Sequence, residues 1–235
     1  MNTKVVIITG ASRGLGKALA IGLSRAGFII AASGRNITDL EQLKTRLTGD
    51  YLIHKCDITN WEDCQKLVEA VVSKYGWIDV LINNAGGKYV KTSLLDSTKE
   101  DVDSVFDTQV KGTTYITKAV LAQMAKQKAG KIYTITYSPY RLGLDLLDTQ
   151  KPKTLHIASL FGKAAIADVV AIEAKNYGVR SIPVFIRWVA SDLDIDEPLD
   201  PREKSNHPKE VVEAIRENIL SEEDTKEIMI SPHNG

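Results

Sequence analysis

Thr9-Gly10-Ala11-Ser12-Arg13-Gly14-Leu15-Gly16 sets Gly10, Gly14 and Gly16 between a β-branched run, Val5–Thr9, and a stretch with apolar residues at helical spacing. Glycine permits a tight turn and a close backbone approach. A helix starting at Gly14 would aim unpaired N–H groups and the positive end of its dipole at whatever sits in that turn. The chemistry this favours is the cradling of a pyrophosphate, because the glycines fall at a strand-to-helix junction. Cys56 and Cys64 form no metal-ligand pattern with His54, His156, His207 and His233.

The elements that must hold such a turn follow from periodicity. Continuous apolar runs predict strands at 5–9, 28–32, 51–56, 78–83, 131–137, 181–187 and 227–231. Helical spacing predicts helices at 14–26, 38–48, 61–75, 99–128, 155–177 and 208–220. Gly27 ends the first helix. Thr38, with Glu41 three residues on, reads as the cap of the second. Strand–helix alternation repeated about six times implies an α/β fold. With right-handed crossovers this gives a Rossmann-type doubly wound parallel sheet of about seven strands, with helices on both faces. The chain, 1–235, reads as one domain. The acidic, proline-punctuated stretch 190–208 reads as a substrate-side loop or lid, and 138–155 as the other segment on that side.

Four stretches, in order, resemble the short-chain dehydrogenase/reductase family. Thr-Gly-x-x-x-Gly-x-Gly at 9–16 matches its glycine fingerprint. Cys56-Asp57-Ile58-Thr59 follows the third strand, where the family's Asp contacts adenine. Asn83-Asn84-Ala85-Gly86 follows the fourth strand, and Val110-Lys111-Gly112-Thr113 lies in the long helix after it. The resemblance spans about residues 4–231. It implies a nicotinamide dinucleotide held by Gly10, Ser12, Arg13, Gly14, Leu15, Gly16, Arg35, Asp57, Ile58, Asn84, Ala85 and Gly86. The second strand runs out through Ala32-Ser33-Gly34-Arg35-Asn36 with no acid to bind a ribose 2′-hydroxyl. Arg35 and Arg13 can instead grip a 2′-phosphate, which favours NADP, with NADPH ahead of NADH.

The catalytic half departs from the family. Its tetrad is Asn, Ser, Tyr and Lys, and none stands at its usual place. His156 aligns with the Tyr, Leu160 with the Lys, Tyr137 with the Ser and Gln109 with the Asn; a one-residue shift would put Thr136 or Ser138 at the Ser. The Pro-Gly after the sixth strand is Ile186-Arg187. A histidine titrates near neutrality without help from a lysine, so His156 is a candidate acid or base. Lys163, two helical turns on, is a candidate replacement cation, and Tyr137 or Tyr140 a candidate hydrogen-bond donor. Two function classes follow. One is an oxidoreductase acting on a carbonyl or alcohol through an altered site, with a non-redox isomerase or cyclase as its variant. The other is an inactive NADP-binding sensor or partner subunit.

Composition narrows the partners. Thirty Lys+Arg balance thirty Asp+Glu, so no basic excess exists to neutralise phosphates and no nucleic-acid role is expected. No 18-residue apolar run is apparent, so no membrane span is expected. The first residues run directly into a strand, which leaves no room for a signal peptide, and two cysteines fit a cytoplasmic protein with reduced thiols. Alanines along 155–177 fit the helix pairing by which the family forms homodimers or homotetramers.

Overall fold

Val5–Thr9 forms strand β1, buried along its whole length. Val6 and Ile8 face one side of the sheet and Val5 and Ile7 the other, so both faces of this strand are apolar. The computed structural model describes residues 3–86, 90, 92–142, 153–186, 189–190, 194–200 and 205–230. After β1 come α1 (Gly14–Arg25), β2 (Ile29–Gly34), α2 (Ile37–Leu43), β3 (Tyr51–Lys55), α3 (Trp61–Tyr75) and β4 (Val80–Asn83). They are followed by α4 (Lys99–Phe106), α5 (Thr113–Gln127), β5 (Gly130–Tyr137), a short α6 (Pro139–Leu142), α7 (Thr154–Ala174), β6 (Val179–Ile186), α8 (Pro208–Leu220) and β7 (Ile228–Ile230).

The seven strands form one sheet, ordered β3-β2-β1-β4-β5-β6-β7, and every pairing is parallel. This is the doubly wound α/β fold expected from the strand–helix alternation. α1 and α8 pack together on one face through Leu19, Leu23, Val211 and Ile215. α3 and α5 cover the other through Leu67, Val71, Ile116, Val120 and Met124. The strand order reverses between β1 and β4, and the crevice beyond the carboxyl ends of these strands is where this architecture takes a ligand.

Local structure corrects several expectations. Asn36, not Thr38, caps α2: its side chain accepts from the N–H groups of Thr38 (3.0 Å) and Asp39 (3.5 Å). The helix stops at Leu43 and tightens into a 3₁₀ turn at Lys44–Arg46. The helix expected over 99–128 is continuous in path, but Asp107–Gly112 is a π-turn. One helical stretch, Thr154–Tyr177, is long and apolar enough to cross a membrane by length and composition, contrary to the expectation that no segment would be. It packs on β5 and β6 as a layer of the domain, with 28% of its most apolar window buried.

Within the acidic 190–208 stretch, residues 194–197 are pinned down. Arg25, the last residue of α1, holds both carboxylate oxygens of Asp196 (2.6 and 2.8 Å). Arg46 holds both oxygens of Asp194 (2.9 and 3.0 Å) and reaches Asp196 as well (2.9 Å). His207 then caps α8 in a reciprocal box with Glu210, and Pro208 opens the helix.

Candidate functional site

The exits of β1, β2, β3 and β4 converge on one cavity of about 640 Å³. Its wall contains all twelve residues that the sequence nominates for a dinucleotide: Gly10, Ser12, Arg13, Gly14, Leu15, Gly16, Arg35, Asp57, Ile58, Asn84, Ala85 and Gly86. Gly34, Asn36, Asp39, Cys56 and Thr108 line it too and are not among the nominated residues. Each lies within four residues of one that is nominated or aligned, so proximity along the chain is the signal that could have found them.

The glycines have distinct jobs. Gly10 has φ +66°, and a Cβ there would lie 2.8 Å from the Ala85 Cα. Gly14 also takes a positive φ, 55°, at the start of α1. At Gly16 a Cβ would fall 2.2 Å from the Gly10 carbonyl oxygen and 2.4 Å from Asn84 Nδ2, so this glycine lets α1 sit against the turn. α1 has no side-chain cap and no acid in its first turn, which leaves its leading N–H groups facing the cavity side without an intrahelical partner. That cradle, empty of side-chain bulk and lined by open donors, fits a pyrophosphate.

The floor is tied together by one hydroxyl. Thr9 Oγ1 accepts from the backbone N–H of Asn84 and of Ala85, each at 3.1 Å, and donates to the Ile82 carbonyl at 3.3 Å. Asn84 Nδ2 also donates to the carbonyls of Thr9 (2.9 Å) and Gly10 (3.2 Å). On the far side, the Asp57 carboxylate accepts from the Thr59 N–H and hydroxyl (3.0 and 2.9 Å), which fixes the Asp57–Ile58 corner. Cys56, beneath it, is a free, buried thiol, as is Cys64.

Arg13 and Arg35 are exposed on the cavity rim and have no ion-pair partner among the described residues. The contrast with Arg25, Arg46 and Arg141 is direct, since each of those is held by carboxylates. Two such guanidinium groups beside one cavity leave their donor forks available to a phosphate.

The positions aligned with the tetrad do not line this cavity. Gln109 lies behind it in the π-turn, buried, with its amide nitrogen 3.5 Å from where a Cβ on Gly86 would be. Lys163 is fully buried and donates to the Ala85 carbonyl at 3.0 Å, so it supports the floor from the α7 side. His156 is half-buried in the first turn of α7, and burial, aided by Lys153, pushes its imidazole down to about 4. It is therefore neutral at pH 7. The Leu160 carbonyl accepts from the Thr136 hydroxyl at 2.8 Å. Tyr137 ends β5, half-buried, paired in register with Ile186. The Tyr140 ring is taken up by Phe161 (5.3 Å, edge-on), Phe185 (6.1 Å, stacked) and the Arg141 guanidinium. Arg187 lies outside the described residues, as do 143–152 of the 138–155 segment. No described residue of 190–208 lines the cavity.

The short chain dehydrogenase family matches this chain over residues 4–143. The chain belongs to the short-chain dehydrogenase family. As a member, it carries the fold and the nicotinamide-dinucleotide cavity of that family of oxidoreductases. It is similar to a sepiapterin reductase of Chlorobaculum tepidum, at 29% identity over 75% of this chain and 73% of the relative. It is also similar to an uncharacterized oxidoreductase of Staphylococcus aureus, at 26% identity over 92% and 90%. Among solved structures, an alcohol dehydrogenase from the archaeon Thermococcus sibiricus, complexed with 5-hydroxy-NADP, superposes with a TM-score of 0.85. It shows 24% identity over 100% of this short-chain dehydrogenase and 98% of that chain. A metagenomic short-chain oxidoreductase in complex with NADP gives a TM-score of 0.81 at 21% identity, covering 97% of each chain.

Proposed function

We propose that this short-chain dehydrogenase binds NADP(H), with NADPH preferred over NADH, and exchanges hydride with a small carbonyl or alcohol through a non-standard site. The observation that carries the cofactor preference is the pair Arg13 and Arg35, both on the cavity rim and both without an acidic partner among the described residues. Structural neighbours solved with NADP or 5-hydroxy-NADP support the same reading. When bound, the dinucleotide supplies the hydride. The chain's part is to hold the pyrophosphate at Gly10–Gly16, the 2′-phosphate at Arg13 and Arg35, and the adenine side at Asp57 and Ile58.

A fluorescence titration of the purified protein with NADPH, and separately with NADH, tests it. Micromolar NADPH binding with NADH at least tenfold weaker is the expected result. Equal affinities would overturn the preference, and no binding of either would overturn the cofactor reading itself. A carbonyl screen then follows NADPH oxidation.

A second reading, NADP binding without turnover in a sensor or partner subunit, is favoured by one observation. His156, Tyr137, Gln109 and Lys163 all stand off the cavity wall, and Leu160 supplies no cation. Turnover with any carbonyl, lost in H156A, would exclude it.

We also propose that the protein is a cytoplasmic homodimer or homotetramer. Free, buried Cys56 and Cys64 support a reducing compartment. An apolar groove between α5 and α7, edged by Lys118 and Glu173, supports self-association, with Val169 and Ile172 exposed beside it at 62% and 73%.

A further inference from the structure

Among the described residues Lys163 is the one large charged side chain in the fully buried set, and the helix that carries it, α7, packs on β5, β6 and the π-turn. Its Nζ has three donors, and the described structure gives it the Ala85 carbonyl at 3.0 Å. No carboxylate among the described residues neutralises it. Asp168 on its own helix is held by Arg141, and Glu173 edges the outer groove. On the π-turn Asp107 pairs with Lys111, and on α4 Asp101 serves in the capping box with Thr98. Of the cations on the strands beneath, Lys131 binds carbonyls at the end of α8 and Arg180 those of Glu222 and Glu223. His156, two turns up α7, is neutral. Burial is thus the whole cause that pushes the Lys163 ammonium down to about 7.

The carbonyl it grips belongs to Ala85, which lines the cavity and whose own N–H is held by Thr9. A charge on Lys163 is therefore felt across a single peptide by whatever fills that cavity. We propose that Lys163 is a positioning residue that couples dinucleotide binding to proton uptake: the anionic ligand favours the ammonium over the amine, and the ammonium holds the Ala85 carbonyl more firmly. The proposal rests on the NADP(H) reading above. By linkage the effect is reciprocal, so a lower pH within the neutral range tightens the ligand. A charge-assisted hydrogen bond is the stronger one, so the proton also firms the cavity floor.

Calorimetric titration of the full chain with NADPH, in two buffers of different ionisation enthalpy, counts the protons taken up. A tenfold tightening of the Lys163 proton corresponds to uptake of about 0.4 proton at about pH 8, and to almost none at about pH 6, where the amine is already charged. K163M is expected to bind NADPH without that uptake. K163R, permanently charged, is expected to keep its affinity as pH rises while the wild type weakens several-fold. The difference between wild type and variant cancels protons contributed by the ligand's own phosphate or by His156. Should the variants fail to fold, carbon NMR of wild-type protein labelled at the lysine Cε reads the same event. One lysine then titrates near neutrality in the free protein and shifts upward with NADPH. NADPH binding with no uptake, or with equal uptake in K163M, overturns the proposal. Absence of any NADPH binding overturns the cofactor reading first, and this inference with it.

Discussion

Asn84 clasps Thr9 with two donors: its backbone N–H is accepted by the Thr9 hydroxyl at 3.1 Å, and its Nδ2 donates to the Thr9 carbonyl at 2.9 Å. The clasp spans the gap where β1 and β4 leave the sheet, which is the point where the strand order reverses. T9V keeps the shape and removes the acceptor for two N–H groups. It is expected to cost about 1–3 kcal/mol in a urea melt and to weaken NADPH binding. An unchanged melt would mean that water replaces the hydroxyl.

Gly16 is the tightest point of the cradle. In G16A the added Cβ meets the backbone oxygen of Gly10 at 2.2 Å, and backbone yields poorly. The loss of stability should be about 1–3 kcal/mol or more, with α1 displaced from the turn. NADPH binding should fall below detection, whereas G27A, in open space but at φ +88°, should cost stability and spare binding.

On the proposed NADP(H) reading, Arg35 and Arg13 share the cofactor preference. R35A is expected to lower NADPH affinity about tenfold or more while leaving NADH affinity within about twofold, because only the 2′-phosphate is lost as a partner. R13A should act in the same direction. Parallel losses for both dinucleotides would mean that these side chains touch the shared pyrophosphate instead.

Ile172 is the most exposed large apolar residue of α7 among those described. I172E is expected to convert a dimer or tetramer into smaller species by light scattering, with little change in the melt of the isolated fold. A wild-type protein already monomeric at micromolar concentration would remove the proposed interface.

His156 gives stability a pH dependence with a definite sign. Its folded value, about 4, lies below the ordinary histidine value near 6.5. The unfolded chain therefore takes up the proton first as pH falls. The contribution is complete above about pH 6.5 and is lost as pH drops toward 4, by about 1–2 kcal/mol after allowing for partial exposure. H156Q lacks this contribution, so the wild-type-minus-variant stability difference should fall by that amount between about pH 7 and pH 4.5, and a constant difference would refute it.

Much of the scaffold is legible from residue order, for a physical reason. A parallel strand buried on both faces has to be an unbroken apolar run, and Val5–Thr9 and Val80–Asn83 are such runs. The cradle is legible because only glycine tolerates the backbone at Gly10 and the approach at Gly16. What escapes is tertiary. The Arg25–Asp196 and Arg46–Asp194 pairs join residues 171 and 148 positions apart, and nothing local tells either acid from its solvated neighbours. Lys163 reads as a polar residue on an alanine-rich helix, and only the fold turns it inward. Asn36 rather than Thr38 is the cap because α2 starts at Ile37, where the Asn36 side chain meets the free N–H groups of Thr38 and Asp39, and only Arg35 and Asn36 separate it from β2.

The π-turn at Asp107–Gly112 stores one residue of slack in this helix. A π-turn holds one residue more than an α-helical path between the same ends. Losing that surplus residue would let the turn relax to an ordinary helix with α4 and α5 still in phase, whereas a second deletion would swing α4 relative to α5 by about 100°. Val105, buried on α4, and Ile116, buried on α5, could not both keep their faces inward after such a swing. Surface loops absorb insertions and deletions with little penalty. Here the surplus residue is slack within a helix, so a descendant of this sequence can lose one residue at 107–112 and keep its inward faces, but not two.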